Sequence, residues 1–312
     1  MKNRTDLKHL TGIVFLNKPG GISSNKALQL VKRHFKAHKA GHIGTLDPLA
    51  CGILPICLGE ATKFAHLLQA STKSYRVTAQ LGSTTTTGDS EGDVLSTQDV
   101  PDIDEQKLIQ TLQNFLGTTQ QVPPMFSALK INGQPLYKLA RQGVVVPREP
   151  RMITIESIAL VERSVDTFSF KVTCSKGSYM RTLVEDLGHS LGCGAHMSAL
   201  TRIKLGSFLL EDCVDLETVL SCAQDDYQYI KPINILKPLI VNLTISEQEE
   251  QALRYGRQVP LVDKAMNLPV QDDIGLISAK DNNLIGLGRI IAGDFLITQR
   301  LITHQHHISS DL

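Results

Sequence analysis

Hydrophobic and polar residues follow two different periods along this chain. They alternate over residues 75–81 and 168–174, which is the two-residue period of strands buried on one face. Apolar residues recur every four positions over residues 27–35 and 183–191, as in helices that bury one face. A further amphipathic pattern over residues 108–116 ends at Gly117. Strands and helices are therefore predicted to be intermixed.

The pattern changes after residue 240. A short polar helix is predicted over residues 246–254, followed by apolar runs over residues 275–277, 284–291 and 295–301. A turn at Asp281-Asn282-Asn283 separates the first two runs, as in a hairpin. We predict two domains, residues 1–240 and a small β domain over residues 241–312, and we expect the histidine-containing tail to be disordered.

Composition indicates an ordinary globular protein, with 42% hydrophobic and 20% charged residues. The six cysteines include no C-x-x-C pair and no spacing typical of zinc ligands, so we expect reduced thiols and no metal. The N-terminus is polar and no apolar run is long enough to span a membrane, which favours a cytoplasmic location.

The formal net charge is only +1, so a polyanionic partner requires positive charge that is segregated onto one face. Runs of charge usually form solvated surfaces. Two concentrations of basic residues become candidates for phosphate contact only if they flank a functional segment. The two concentrations are Lys32, Arg33, His34, Lys36, His38 and Lys39, and Lys130, Lys138, Arg141, Arg148 and Arg151.

Residues 41–55, GHIGTLDPLACGILP, combine features that rarely occur together. Three glycines and two prolines oppose a regular helix, yet the apolar residues are too many for a solvated loop. We therefore predict a rigid, partly buried loop. A carboxylate held there, Asp47, loses hydration and needs a cation or hydrogen bonds, or its pKa will rise. Asp47 is thus a candidate reactive group, although Asp-Pro also often caps a turn.

This segment, with its continuation to Phe64, closely resembles the catalytic motif of the bacterial tRNA pseudouridine-55 synthases, in which the aspartate is the nucleophile. Further blocks resemble motifs of the same family in the same order, and the resemblance covers residues 12 to 208. These blocks are Lys18-Pro19-x-Gly21-x-Ser23-Ser24, Lys73-Ser74-Tyr75, residues 122–130, residues 137–143, residues 174–183, residues 192–196 and Leu200-x-Arg202.

The resemblance implies an α+β fold with a large mixed, mainly antiparallel sheet flanked by helices, and a C-terminal RNA-binding domain of the PUA type. It implies a tRNA substrate, whose T-loop uridine is flipped out and isomerised to pseudouridine. It also implies that no cofactor is required. We infer no obligate protein partner and no membrane contact.

The resemblance assigns catalytic roles to three residues. Asp47 would be the nucleophile, Arg181 its bidentate counter-ion and Tyr75 the aromatic ring that stacks on the target uracil. Without it, Arg181 would be a surface arginine and Tyr75 an inward-facing strand aromatic. The order of the chemical steps, by attack on the base, by attack on the sugar or through a glycal, stays open.

The same comparison implies that His42 fills the space of the flipped base and that Tyr179 and Leu200 line the uracil pocket. On the residues alone, His42 is more simply structural, and the other two are core residues. Contact with the RNA backbone is predicted for four cationic residues: Lys18, Lys130, Arg141 and Arg202.

Two other functions are compatible with parts of the sequence. A metal-dependent hydrolase would use His42 and Asp47 with Asp89 or Asp93, although their spacing matches no familiar ligand set. A non-catalytic RNA-binding or RNA-folding module would use the same basic residues and the C-terminal domain. Only an enzyme needs a buried carboxylate paired with arginine.

Overall fold

The computed structural model describes residues 7–261, 273–291 and 294–303. Within these ranges the chain forms a ten-stranded sheet, a five-stranded sheet and two small hairpins. The strands up to residue 215 are β1 (Gly12–Lys18), β2 (Ala40–His42), β3 (Cys51–Leu58), β4 (Lys73–Leu81), β5 (Ser83–Thr85), β6 (Val94–Thr97), β7 (Gly117–Gln121), β8 (Lys130–Ile131), β9 (Gln134–Pro135), β10 (Arg151–Arg163), β11 (Thr167–Cys174), β12 (Ala195–Leu205), β13 (Phe208–Leu209) and β14 (Val214–Asp215).

The remaining strands and the helices complete the described part of the chain. The strands are β15 (Asn242–Ile245), β16 (Val259–Pro260), β17 (Ile274–Ser278), β18 (Leu284–Ile291) and β19 (Phe295–Leu301). The α-helices are α1 (Ser24–His34), α2 (Ala65–Ala70), α3 (Glu105–Gln113), α4 (Leu136–Ala140), α5 (Met180–Leu191), α6 (Leu216–Ser221) and α7 (Glu247–Arg254). Short 3-10 helices cover Gly59–Phe64, Leu210–Asp212 and Ile233–Leu239.

The large sheet has the order β14-β1-β3-β12-β4-β11-β10-β7, with β2 beside β3 and β13 beside β12. Only the β1–β14 and β3–β12 pairs are parallel. The predicted α+β fold with a large, mixed, mainly antiparallel sheet is therefore confirmed. None of the helices in the described ranges is long and apolar enough to cross a membrane.

The main core lies between the large sheet and the helices that cover it. Phe168 and Phe170 of β11 and Val77 of β4 are at most 1% exposed, and they belong to one buried cluster with Leu183 and Leu187 of α5. The four-residue spacing of α5 thus turns one face onto the sheet. This packing fixes the first turn of α5, which carries Arg181.

The second sheet has the order β15-β17-β18-β19-β16 and follows residue 240, where we propose the domain boundary. Its β17, β18 and β19 correspond to the three predicted apolar runs. Its resemblance to a PUA domain stays a prediction. The histidine-containing tail at residues 304–307 lies outside the described residues.

A second apolar cluster joins the two sheets. Phe64, Leu68 and Leu236 from the first part of the chain pack with Leu284 and Leu287 of β18, and all five are fully buried. Polar contacts surround this cluster. The Lys63 Nζ donates to the Leu301 carbonyl at 2.8 Å, and the His66 Nε2 lies 2.9 Å from the Asp273 carboxylate. The two sheets therefore share part of one core.

We expect residues 1–240 to fold alone, because the main core and every strand of the large sheet lie within them. The fragment should unfold cooperatively, with a lower thermal midpoint than the full chain, since the shared cluster loses Ile277, Leu284, Leu287 and Ile302. Calorimetry and binding of a hydrophobic dye test this. An insoluble fragment, or one without a cooperative transition, would contradict the division at residue 240.

Candidate active site

The segment between β2 and β3 forms the partly buried loop that its composition predicts. Ile43 and Leu46 are 3% exposed and Ala50 is fully buried, yet the backbone between them forms neither helix nor strand. Gly44 makes the first bend with a φ of +66°, a conformation that side chains other than glycine disfavour. The carbonyls of such a loop need donors from outside it.

Arg202 of β12 supplies donors on one side of the loop. Its Nε donates to the Ile53 carbonyl at 2.7 Å, and its Nη2 donates to the Gly44 carbonyl at 2.8 Å and to the Ile43 carbonyl at 3.5 Å. The residue is only 1% exposed. Its charge is thus neutralised by backbone dipoles rather than by solvent.

Lys18, at the end of β1, connects the loop to the turn that follows this strand. Its Nζ donates to the Pro19 and Ile22 carbonyls, both at 2.7 Å, and to the Pro48 carbonyl at 3.4 Å. The side chain is fully buried. Burial lowers the pKa of Lys18, while the charge of Asp47 is among the effects that oppose the shift.

Ser24 adds a third attachment. Its Oγ donates to the Leu46 carbonyl at 2.7 Å and accepts from the Leu46 N–H at 2.8 Å. Of the two serines that could cap α1, Ser23 caps the helix by accepting from the Lys26 N–H, and Ser24 binds the loop instead. Both peptide groups of Leu46, the residue before Asp47, are therefore fixed.

These contacts bear on two of the predicted RNA-backbone contacts. Lys18 and Arg202 are both buried, and they donate to carbonyls of the protein. Burial with backbone partners does not favour a contact of either cation with a phosphate group. Their role in this structure is to hold the loop that carries Asp47.

Asp47 forms an ion pair with Arg181, in the first turn of α5. The Arg181 Nε lies 3.0 Å from Asp47 Oδ2; the arginine side chain is 5% exposed and that of the aspartate is 33% exposed. The Asp47 carbonyl also accepts from the Ala50 N–H at 3.1 Å, so the residue does form a turn, but with its backbone. The carboxylate is left to meet Arg181 on one side and the surface on the other.

Arg181 is held by several other acceptors. Its Nη1 donates to the Thr87 carbonyl at 2.9 Å and its Nη2 to the Phe126 carbonyl at 2.7 Å. Asp89, only 4% exposed, places Oδ2 3.7 Å from the Arg181 Nε. Sequence reasoning gave Asp89 a role only in a metal site and missed this contact, because nothing local links residues 89 and 181.

Burial raises the pKa of Asp47 above its ordinary value. The Arg181 charge and hydrogen bond act against this, and so does Lys18, whereas the negative charge of Asp89 raises the pKa further. The carboxylate is thus balanced between one close cation and a second carboxylate. Because a third of its side chain is exposed, solvent reduces all of these effects.

Two aromatic residues lie within electrostatic reach of Asp47. Tyr75 of β4 is 8% exposed and is paired across the sheet with Arg202. Burial raises the pKa of the Tyr75 and Tyr179 phenols. The Arg202 charge opposes this shift at Tyr75, the charges of Arg151 and Arg181 oppose it at Tyr179, and the Asp47 charge adds to both shifts. Both phenols therefore stay protonated at neutral pH.

His42 and Leu200 complete the predicted pocket residues. Leu200 is 7% exposed and precedes Arg202 by two positions on β12, so the two share a face of the strand. The His42 Nδ1 is buried and has no hydrogen-bond partner among the described residues. Burial lowers the pKa of His42, with the Arg202 charge in second place, so its imidazole is neutral at neutral pH.

The sequence matches models of one protein family over residues 32–240. Residues 32–180 match the N-terminal domain of the TruB family pseudouridylate synthases, and residues 181–240 match the tRNA pseudouridylate synthase B C-terminal domain. The tRNA pseudouridine synthase B of Marinomonas sp. (strain MWYL1) is 42% identical over 299 residues, which are 95% of this chain and 96% of that protein. The protein of that name from Burkholderia mallei (strain NCTC 10247) is 43% identical over 296 residues, 94% of this chain and 97% of its own.

The chain belongs to the TruB family. It is therefore an isomerase of the pseudouridine synthase class. The boundary between the two matched regions falls inside α5, so the second region contributes β12 to the large sheet and is not a separate body.

Solved structures agree with this fold. A chain of a Cbf5-Nop10-Gar1 complex superposes with a TM-score of 0.70 at 25% identity and covers 91% of this chain and 79% of its own length. A chain of an H/ACA RNP bound to a substrate RNA containing 2'-deoxyuridine gives a TM-score of 0.71 at 22% identity. It covers 95% of this chain and 86% of its own length. At the latter identity the likeness concerns the fold alone.

Two of the predicted RNA contacts in this TruB-family chain are exposed. Lys130 lies on β8, and Arg141 follows α4, with its guanidinium 5.6 Å from the centre of the Tyr137 ring. Among the described residues, no group of three or more His, Cys, Asp or Glu is placed to hold a metal ion. Asp47 and Asp89, which the hydrolase alternative pairs, share a guanidinium instead, and Asp93 is exposed.

The close approach of Gly52 to the Arg202 backbone gives a test of how tightly β3 and β12 pack at the end of the loop. A Cβ at Gly52 would lie 2.3 Å from the Arg202 carbonyl oxygen, so Gly52→Ala must push β3 and β12 apart. We expect a loss of about 3 kcal/mol in the free energy of unfolding, measured with urea.

Gly256 offers a matched control. Its φ of +73° disfavours alanine too, but a Cβ there meets no described atom within 4 Å. Gly256→Ala should cost only about 1 kcal/mol, the backbone strain alone. Equal losses for the two variants would show that the contact with Arg202 does not matter.

Proposed function

We propose that this protein converts the T-loop uridine of tRNA to pseudouridine, with Asp47 as the nucleophile. The observation that carries the proposal is the ion pair between Asp47 and Arg181. The buried guanidinium fixes one carboxylate oxygen at 3.0 Å, while a third of the Asp47 side chain stays exposed to an incoming substrate. The names of the relatives described above support tRNA as the substrate.

The reaction breaks the N1–C1′ bond, turns the uracil and joins C5 to C1′. Atoms and electrons balance without an external oxidant or reductant, so no cofactor enters the proposal. An ionised carboxylate at Asp47 captures or stabilises the intermediate. The bonds from Lys18, Ser24 and Arg202 keep the loop in place during the turn of the base, which lets Asp47 act from a fixed position.

The base must leave its stack to reach Asp47, and unstacking costs a few kcal/mol. We propose that the uracil lies between the neutral Tyr75 ring, Tyr179 and Leu200. His42 would fill the space that the base leaves. The unpartnered Nδ1 of this neutral imidazole supports that role, because a nucleotide atom would give it a partner.

Binding of the tRNA is assigned to exposed cations, since the buried ones are already paired. Lys130, Lys138, Arg141 and Arg151 are exposed on one segment, and Arg33 and Lys39 lie just before the catalytic loop. These residues would contact phosphate groups and position the T-arm, with the C-terminal domain as a further RNA contact. We propose a cytoplasmic enzyme that needs no partner protein.

Asp47→Asn should abolish isomerisation but leave tRNA binding within about tenfold of wild type, or about 1.4 kcal/mol. The two side chains have nearly the same shape, so the loop and its contacts survive, while the charge and the nucleophile are lost. Release of tritium from tRNA labelled at uridine C5 measures the reaction, because C5 loses its hydrogen when the new bond forms.

Asp93→Asn is the matched control, since Asp93 is an exposed carboxylate close in sequence to Asp89, and it should release tritium at the wild-type rate. Release by Asp47→Asn at a comparable rate would show that Asp47 is structural. Loss of wild-type activity on adding a chelator would favour the metal-dependent hydrolase. If the wild type binds tRNA but releases no label, the RNA-binding module becomes the better hypothesis.

The pKa of Asp47 predicts how the rate depends on pH. The ionised form reacts, so the rate falls as the pH drops through this pKa, which burial has raised above its ordinary value. Asp89→Asn removes a negative charge that raises the Asp47 pKa further, so the acid limb should move to lower pH. Single-turnover rates at saturating tRNA measure the acid limb. An unchanged limb would show that the Asp89 charge does not affect the pKa of the reactive carboxylate.

A further inference from the structure

Gln121, the last residue of β7, makes an unusual pair of hydrogen bonds. Its Nε2 donates to the Tyr179 carbonyl at 3.1 Å, and its Oε1 accepts from the Tyr179 N–H at 2.7 Å. The residue is 5% exposed. A side-chain amide here pairs with the backbone of one residue as a neighbouring strand would, across 58 positions of sequence.

Tyr179 is the residue from which α5 starts. It has an extended backbone, with φ −110° and ψ 115°, and its side chain makes no capping bond. Its carbonyl also accepts from the Leu183 N–H at 3.1 Å, the first bond of the helix. Because Gln121 binds both the N–H and the carbonyl of this residue, it sets the direction in which the helix begins.

Arg181 follows two residues later and reaches Asp47 from that first turn. The segment after Gln121 touches Arg181 directly as well, since the Phe126 carbonyl accepts from the Arg181 Nη2 at 2.7 Å. The backbone of the first turn and the guanidinium itself are therefore held by residues 121–126. A shift of the helix start would move the Nε away from the Asp47 carboxylate.

We propose that Gln121 is a positioning residue for the isomerisation, which acts by holding the start of α5 so that Arg181 stays paired with Asp47. This rests on the proposed function of the Asp47–Arg181 pair. A plainer role is also consistent with burial alone, in which the amide only satisfies two backbone groups and supports the fold. The two roles predict different single-turnover rates for a folded protein in which Gln121 is replaced.

Gln121→Met keeps the length and volume of the side chain but removes both hydrogen bonds. We expect the folded variant to show a single-turnover rate lower by about tenfold or more at saturating tRNA, because small displacements of catalytic groups are costly. Its dissociation constant for tRNA should stay within about twofold. The acid limb of the rate should move to higher pH, since a displaced Arg181 no longer lowers the Asp47 pKa as strongly.

Gln120→Met is the matched control. Gln120 is the neighbouring glutamine on β7 and is exposed. The Gln120→Met variant should therefore match the wild type in its reaction rate, the acid limb of that rate and its unfolding midpoint. Gln121→Asn is the second variant, in case the methionine prevents folding. It keeps an amide but is one methylene too short to span both groups of Tyr179, and it should show the same losses to a smaller degree.

A double variant separates positioning from support of the fold. If Gln121 acts through Arg181, adding Gln121→Met to Arg181→Lys should slow the reaction little beyond Arg181→Lys alone. Multiplied losses would overturn the proposal, as would a folded Gln121→Met protein with the rate and pH limb of the wild type.

A measurement without RNA keeps this inference apart from the proposed function. Carbon-13 NMR follows the titration of the Asp47 carboxyl in the free protein, where Gln121→Met should move it to higher pH and Gln120→Met should not. If the wild type is inactive but Gln121→Met shows this shift, the proposed reaction is refuted and the positioning contact is supported. An unmoved titration would refute the contact, whatever the activity.

Discussion

The geometry of the active site depends on two buried cations that bind backbone carbonyls. Residues 41–55 contain too much glycine and proline to form a helix, so the loop cannot satisfy its own carbonyls. Arg202 and Lys18 supply donors, and in the same contacts the carbonyls satisfy two charges that would otherwise be costly to bury. The carbonyls thus allow the two cations to be buried, and the cations allow the carbonyls to be buried. The loop that carries Asp47 is thereby bonded to residues of β1 and β12.

The second constraint is electrostatic, since one guanidinium lies beside two carboxylates. Arg181 is bonded to Asp47 and lies close to Asp89, while the carbonyls of Thr87 and Phe126 accept from its two terminal nitrogens. Each of the three guanidinium nitrogens therefore has a partner, which holds the arginine in place. The pKa of Asp47 therefore depends on the positions of the Arg181 cation, which lowers it, and of the Asp89 anion, which raises it.

The sequence predicted the loop that carries Asp47, the strand that carries Tyr75 and the helix that carries Arg181, because each has a clear period or a motif. It predicted RNA contacts for Lys18 and Arg202 and did not indicate that both are buried. A signal was present in both cases. Each cation stands two residues after a buried leucine, Leu16 or Leu200, on the same strand, so the two-residue period puts it on the buried face. The contacts of Asp89 and Gln121 had no such signal, since they join segments far apart in sequence.

The burial of these cations distinguishes the residues proposed to act in the reaction from those proposed to bind RNA. Lys18 and Arg202 are at most 1% exposed, and the Arg181 side chain is 5% exposed. The hydrogen bonds of all three go to groups of the protein itself. The attraction for a polyanion must then come from the exposed lysines and arginines around Lys130 and Arg141 and beside α1. Exposed charges are screened by salt, whereas buried pairs are screened much less. It follows that rising ionic strength should weaken RNA binding while it leaves the Asp47–Arg181 pair nearly intact, so that affinity and the rate of the bound complex respond to salt through different residues.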